Sequence, residues 1–306
     1  VPLAVEGAEL PGGITIKKTK IRGVESRGML CSERDLGIGD DHSGLMKLPS
    51  EINGGQSLAR VYGFPDYVFI VDNKSLTHRP DLWGHYGIAR EVSAMTGKPL
   101  KKLLNAETLD SGENPPLAID IKDPVRCPRY SAAVIRDMRV TDSPVWMQAL
   151  LMAAGQRPIN NIVDITNFIT MEIGQPMHAF DRRKLRGDVI RVRCAEKGET
   201  MQTLDGANRV LTTEDLVIAD RDTPIALAGV MGGNTSEVDD STTDIVLESA
   251  NFMPVSIRKT ANRLDLRTDA AIRFEKGLDP RNSIVGIERF CELLSDICPD
   301  SRTEGG

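Results

Sequence analysis

Strand-like and helix-like segments follow one another along this chain without regular alternation, and that order is its tightest constraint. Doubly wound and barrel α/β proteins need repeating strand–helix–strand units. Here residues 130–140 read as a strand, and Ser143 and Pro144 open a helix as cap and first residue, which Gly155 closes. Residues 189–193 alternate as a strand does, 216–219 and 245–247 are short apolar strands, and 254–262 and 282–297 read as helices. No segment repeats at a fixed period. The expected fold class is α+β.

The front of the chain has a different texture. Residues 14–21 alternate apolar and polar as a half-buried strand, residues 28–32 are a second candidate, and glycines at 12, 13, 23, 28, 37, 39, 44, 54 and 55 punctuate the stretch. Gly-rich short strands of this kind suit a small barrel. A helix is expected over 82–96, started at Pro80 or Asp81 and ended by Gly97. Residues 101–116 have a linker composition. The expected organisation is therefore part of a small barrel over 1–60, a helix-containing connector over 61–100, a linker over 101–116, a larger mixed α+β domain over 117–297, and a tail over 298–306.

Bulk properties narrow the function. The chain has 306 residues, enough for two or three domains. No apolar run approaches the roughly 20 residues of a membrane-spanning helix. The first residues, Val1-Pro2-Leu3-Ala4-Val5-Glu6, do not form a signal peptide; without an initiator Met they read as a cut or processed end. The net charge of −6 argues against broad electrostatic adhesion to nucleic acid, though not against local basic patches. Cys31, Cys127, Cys194, Cys291 and Cys298 are odd in number and scattered, with no C-x-x-C, so neither a zinc site nor a disulfide framework is indicated. Reduced thiols point to the cytoplasm.

Phosphate-binding Gly-Lys loops, H-E-x-x-H, G-x-S-x-G and dinucleotide fingerprints are all absent. The chemistry-bearing residues sit instead in dense local clusters. Residues 160–167 mix amides, a hydroxyl and a carboxylate with β-branched side chains, and residues 174–181 contain His178. Residues 229–233 let backbone approach a ligand closely, since glycine lacks a Cβ. Glu248 ends an apolar strand, and Thr268-Asp269-Ala270-Ala271 precedes Arg273. Each also has a structural reading: His178 as a hydrogen-bonded core histidine, Gly229–Gly233 as a tight turn, Glu248 paired with Arg258 or Arg273. Asp164 and Asp181 could serve as hydrogen-bond hubs, and Arg157 as a helix-end cation.

Together the clusters are far more specific. Arg157-Pro158-Ile159-Asn160-Asn161-Ile162-Val163-Asp164-Ile165-Thr166-Asn167 resembles the R-P-I-N-N-V-V-D-V-T-N of bacterial phenylalanyl-tRNA synthetase β subunits. Residues 174–181 resemble that family's G-Q-P-L-H-A-F-D, residues 228–233 its A-G-V-M-G-G, and residues 268–279 its T-D-A-S-x-R-F-E-R-G-V-D. Residues 20–32 are similar to the rear of its tRNA-binding-type, OB-like barrel. Residues 78–91 resemble its N-R-P-D…G-I-A-R-E stretch. Order and spacing agree over nearly the whole chain. The departures are His78 for Asn, Phe168 for Tyr, Ala271 for Ser and Lys276 for Arg; Ala271 lacks a hydroxyl, so no catalysis is assigned to it.

The resemblance implies an internal fragment carrying an editing module that hydrolyses tyrosine mistakenly esterified to tRNA(Phe). An apolar pocket rejects an isostere that merely adds a hydroxyl by only about 10². A second site can instead demand the hydroxyl, and Glu248 suits an acceptor for it. The implied pocket comprises Thr166, Asn167, His178, Gly229, Gly232, Glu248, Thr268 and Ala270, with Gly232 and Ala270 leaving room for the ring. His178 is the candidate catalytic residue, orienting water or the terminal ribose, and Arg157 a candidate tRNA contact. The implied partners are the α subunit, in an α2β2 assembly, and tRNA(Phe), with no membrane. No metal or other cofactor is expected in this fragment, while the whole synthetase uses ATP and Mg. The alternative role is a structural and RNA-binding scaffold for the catalytic α subunit, inactive in isolation.

Overall fold

The structure, a computed structural model, describes all residues except 40, 51, 65, 66, 68, 105–115 and 306. Most of the expected linker at 101–116 therefore lies outside the described residues. The chain divides into two units, residues 1–69 with 142–159, and residues 70–141 with 160–306. This grouping cuts across the sequence-based boundaries: the helix before residue 97 belongs with the larger unit, and residues 142–159 with the N-terminal one. No helix among the described residues is long and apolar enough to cross a membrane.

In the first unit the short strands pair as three separate antiparallel ladders: Leu3–Val5 with Gly28–Leu30, Glu9–Leu10 with Ile14–Thr15, and Thr19–Ile21 with Val24–Ser26. Among the described residues they do not join into one closed sheet. The single strand expected over 14–21 is two. Ile16 bonds back to Gly7 and Ala8 through its own N–H and C=O. Thr19–Ile21 folds onto its own hairpin around Arg22 and Gly23, both at positive φ. A short helix, Glu33–Leu36, was not anticipated; a capping box fixes it, the Ser32 hydroxyl accepting from the Asp35 N–H while Asp35 accepts from the Ser32 N–H. The helix expected from Ser143 runs Val145–Ala153, with Pro144 rather than Ser143 in the cap position.

In the second unit, α1 (His85–Thr96) ends at Gly97 in the left-handed region, as its sequence predicts. There follow β1 (Ala118–Ile121), β2 (Arg129–Arg136), α2 (Asn161–Ile173) and β3 (Met177–Asp181). Next come β4 (Val189–Cys194), β5 (Thr200–Gln202), β6 (Asn208–Val210), β7 (Leu216–Ala219), β8 (Pro224–Leu227), β9 (Met231–Gly232) and β10 (Ile245–Asn251). The last elements are α3 (Pro254–Leu264), α4 (Asp269–Phe274), α5 (Asn282–Ile297) and β11 (Arg302–Gly305). β2 stops short of residue 140 because Asp137 turns at φ 57°.

Helix α2 occupies the cluster rich in β-branched residues. Asn160 caps it, its side-chain oxygen accepting from the Ile162 and Val163 N–H groups, and Gly174 ends it at φ 76°. Between these, Ile162, Ile165, Ile169 and Ile173 form one buried stripe at helical spacing. The stripe overrides the weak helix propensity of isoleucine.

Strand order is β11-β2-β10-β3 in an antiparallel four-stranded sheet, and β9-β8-β7-β4-β1 in a five-stranded sheet whose β4–β1 pair is parallel. All seven residues of β10 are buried. Its alternation turns Val246, Glu248 and Ala250 to the face shared by Tyr130, Ala132, Val134, His178 and Phe180. That face packs with Ile190, Val192, Ile218 and Ala226 of the other sheet, and with Ile257 and Phe274, into one apolar core. The opposite face meets α5: Ser131 and Ser283 hydroxyls bond at 3.0 Å, and a Cβ on Gly286 would come within 3.0 Å of Ser249 Oγ. Helix α2 packs on β3 and α5, joined to the latter by a bidentate Arg289–Glu172 pair at 2.8 Å.

Candidate functional site

A cavity of about 210 Å³ opens where β3 and β10 meet β8, β9 and α4. It is small beside the roughly 300–1,000 Å³ of drug-sized ligand sites. Its walls are Pro176, Met177, His178, Leu204, Ile218, Ala226, Leu227, Gly229, Val230, Met231, Gly232, Glu248, Ala270 and Phe274. Every lining residue other than His178 and Glu248 is apolar or glycine. These two stand directly opposite each other on neighbouring strands.

Glu248 is only 6% exposed, and the Tyr130 hydroxyl donates to its Oε2 at 2.9 Å. Burial pushes the carboxyl up to about 8, with the Tyr130 bond pulling the other way. A value near 8 favours the neutral acid at pH 7, where the sequence reading expected a carboxylate acceptor. The Tyr130 phenol is itself held well above its usual range by burial and by Glu248. Burial pushes the His178 imidazole down to about 4, so it is neutral at physiological pH. Its ring stands edge-on to Phe180 at 4.6 Å, and its Nε2 has no hydrogen-bond partner among the described residues.

The structure brings His178, Gly229, Gly232, Glu248 and Ala270 onto one cavity; Thr166, Asn167 and Thr268 do not line it. Thr166 is buried in α2, its hydroxyl donating to the Val163 carbonyl, and Asn167 is half-buried on the same helix. Thr268 stands one step behind the wall. Its hydroxyl donates to the Val230 carbonyl and accepts from the Ala271 N–H, tying α4 to the turn that carries Gly229. Arg157 is exposed in the other unit.

The two glycines have reasons the sequence did not show. A Cβ on Gly232 would lie 2.6 Å from His178 Cε1, so the space it leaves is filled by the imidazole rather than by a ligand ring. Gly229 sits at φ 66°, and a Cβ there would come within 2.8 Å of Phe252. The expected Arg partners of Glu248 are not its neighbours: Arg273 pairs with Asp269, and Tyr130 takes their place. Asp181 is the hub expected, accepting from Arg183 and from the Thr242 hydroxyl. Sequence reasoning missed Tyr130, Leu204, Met177 and Phe274; only a cross-strand register could have placed Tyr130 beside Glu248.

The raised Glu248 value makes stability depend on pH in a known direction. The folded protein keeps a proton that the unfolded chain gives up near 4.5, so this contribution is lost as pH rises from about 4.5 through 8. Glu248→Gln cannot ionise. Its stability advantage over the wild type should grow between pH 5 and pH 9, by on the order of a few kcal/mol. Thermal unfolding of both proteins across that range measures it; a constant offset would mean that Glu248 ionises freely.

The family model for the B3/4 domain matches residues 126–299, and the chain belongs to that family. Its similarity to known proteins runs almost end to end. The phenylalanine–tRNA ligase β subunit of Desulfotalea psychrophila is 46% identical over 299 residues, covering 97% of this chain and 36% of that protein. That of Solibacter usitatus is 48% identical over 300 residues, covering 97% and 38%. The chain thus spans a little over a third of the length of these relatives.

Proposed function

We propose that this chain is part of a phenylalanine–tRNA ligase β subunit and that its cavity hydrolyses the ester of tyrosine mistakenly attached to tRNA(Phe). The observation that carries the reading is an apolar cavity whose only polar side chains are one buried carboxyl and one buried, neutral imidazole. An apolar wall accepts phenyl and phenol rings alike. A buried carboxyl separates them. A phenol hydroxyl exchanges a hydrogen bond with it, whereas phenylalanine leaves it facing carbon, at a cost of roughly 1–3 kcal/mol.

His178 is neutral, and its Nε2 is buried without a hydrogen-bond partner among the described residues. A value near 4 makes it a weak base, suited to orienting a group rather than to taking a proton. In this reading it orients the attacking water or the terminal ribose. Thr268 supports the wall, Thr166 and Asn167 lie on the neighbouring helix, and Arg157 contacts tRNA. The activity resides in residues 117–297, and the N-terminal ladders are read as part of an OB-like, tRNA-binding-type barrel. ATP and Mg belong to the activating site in the α subunit, with which this chain assembles. A scaffold without activity in isolation is the competing reading, favoured by the Tyr130 hydroxyl already occupying one oxygen of Glu248.

The test is hydrolysis of Tyr-tRNA(Phe) and Phe-tRNA(Phe) by the full synthetase carrying Glu248→Ala. Its preference for the tyrosyl ester should fall roughly tenfold, while aminoacylation with phenylalanine persists. An unchanged preference would leave Glu248 a structural residue; a wild-type synthetase without a tyrosyl preference would favour the scaffold.

A further inference from the structure

Tyr130 lies outside the cavity wall, yet its hydroxyl is the one that reaches Glu248. It enters from β2, on the far side of β10 from His178. In the ladder, Glu248 faces Ala132 and Tyr130 faces Ala250, so the two side chains are diagonal neighbours on one face. Both are more than nine-tenths buried. A hydroxyl donating to Oε2 commits that oxygen as an acceptor, so a proton on the carboxyl resides on Oε1.

We infer that Tyr130 is a positioning residue that pins Oε2 of Glu248 and leaves Oε1 as the oxygen that reads a hydroxyl on a bound aromatic ring. The inference rests on the editing reading for the identity of that ring, and on geometry alone for the pinning. The titratable groups near the carboxyl are few: Tyr130 on β2, Cys127 just before it, and His178 on β3. The Cys127 thiol is pushed up to about 12 by burial and then by Glu248, so it stays protonated with the carboxyl. The remaining cavity wall carries no charge.

Tyr130→Phe keeps the ring and removes only the hydroxyl. Because the bond favours the ionised carboxyl, its loss should move the Glu248 titration to higher pH. Infrared spectroscopy of this chain with isotope-labelled glutamate reads that midpoint directly, with Glu248→Gln identifying the band. In the full synthetase the same change should lower the tyrosyl-over-phenylalanyl hydrolysis ratio about threefold to tenfold and shift its pH profile in the same direction. In a Glu248→Gln background, Tyr130→Phe should change the ratio little. An unmoved titration midpoint overturns the pinning. A moved midpoint with an unmoved ratio overturns the link to ligand reading. A wild-type synthetase with no tyrosyl preference would sink the editing reading, and the titration would still decide whether Tyr130 holds Glu248.

Discussion

If the cavity edits as proposed, Ala270→Trp should cut hydrolysis of the tyrosyl ester at least about a hundredfold, while leaving the fold standing. Ala270 is the second residue of α4 and lines the cavity. The cavity holds only about 210 Å³, so an indole projecting into it takes up space that a substrate ring would need. Because Ala270 is half-buried rather than sealed in the core, the new ring can fill the opening without forcing the sheets apart. Neither Glu248 nor His178 is altered, so loss of activity would isolate the requirement for space from the requirement for polar contact. The measurement is the single-turnover deacylation rate of Tyr-tRNA(Phe) by the full synthetase, with thermal unfolding as the control. A rate near that of the wild type would mean that the ester is held elsewhere.

The second large effect concerns stability. Gly87→Ala should cost about 3 kcal/mol, a fall in Tm of roughly 6–12 °C. Gly87 lies in the first turn of α1, and a Cβ there would stand 1.8 Å from the carbonyl oxygen of Asp81. That contact is to backbone, so no side chain can rotate away. The turn it would strike, Pro80–Trp83, is itself braced: Arg79 bonds to both Asp81 and Glu91, and Arg90 also reaches Asp81. The Arg79 bond holds the Asp81 carboxyl down to about 2. Gly84, just ahead of the helix, is equally close to its surroundings, its absent Cβ 2.4 Å from the Gly174 N–H at the end of α2. The helix therefore has no slack in either direction. Urea unfolding reads the loss, and amide exchange over 85–96 should quicken with it. Unchanged exchange in those residues would show that the turn yields instead.

Much of this architecture could be read without coordinates. Helix α5 was legible to the residue, because its apolar period and Asn282 start are local signals. The end of α1 was legible because Gly97 must take a left-handed turn. Helix α2 was not: its isoleucines and valine favour strand in isolation, and only burial against β3 and α5 decides for helix. The N-terminal strands are shorter and more separate than alternation implied, since the chain turns at Gly12 and Gly13 and again at Arg22 and Gly23, all at positive φ. For the cavity, the motifs gathered His178, Gly232, Glu248 and Ala270 across a span of 93 residues. They could not disclose that Tyr130 would stand beside Glu248, since that follows from strand register. Nor could they reveal that the carboxyl would be protonated and the imidazole uncharged. Those states come from burial, a property of the assembled sheets rather than of any residue.

The ladder that sets His178 opposite Glu248 has one more consequence. Side chains facing each other across antiparallel strands keep their Cβ atoms about 4.5–5.5 Å apart, whatever loops join the strands. The 63 residues between Asp181 and Ile245 could lengthen or shrink at their turns without changing that spacing. A one-residue slip, by contrast, would carry one partner to the helical face and erase the pair at once. Descendants of such a site would diversify by exchanging side chains on a fixed grid, and insertions would alter what approaches the cavity before they altered the distance between its two polar groups.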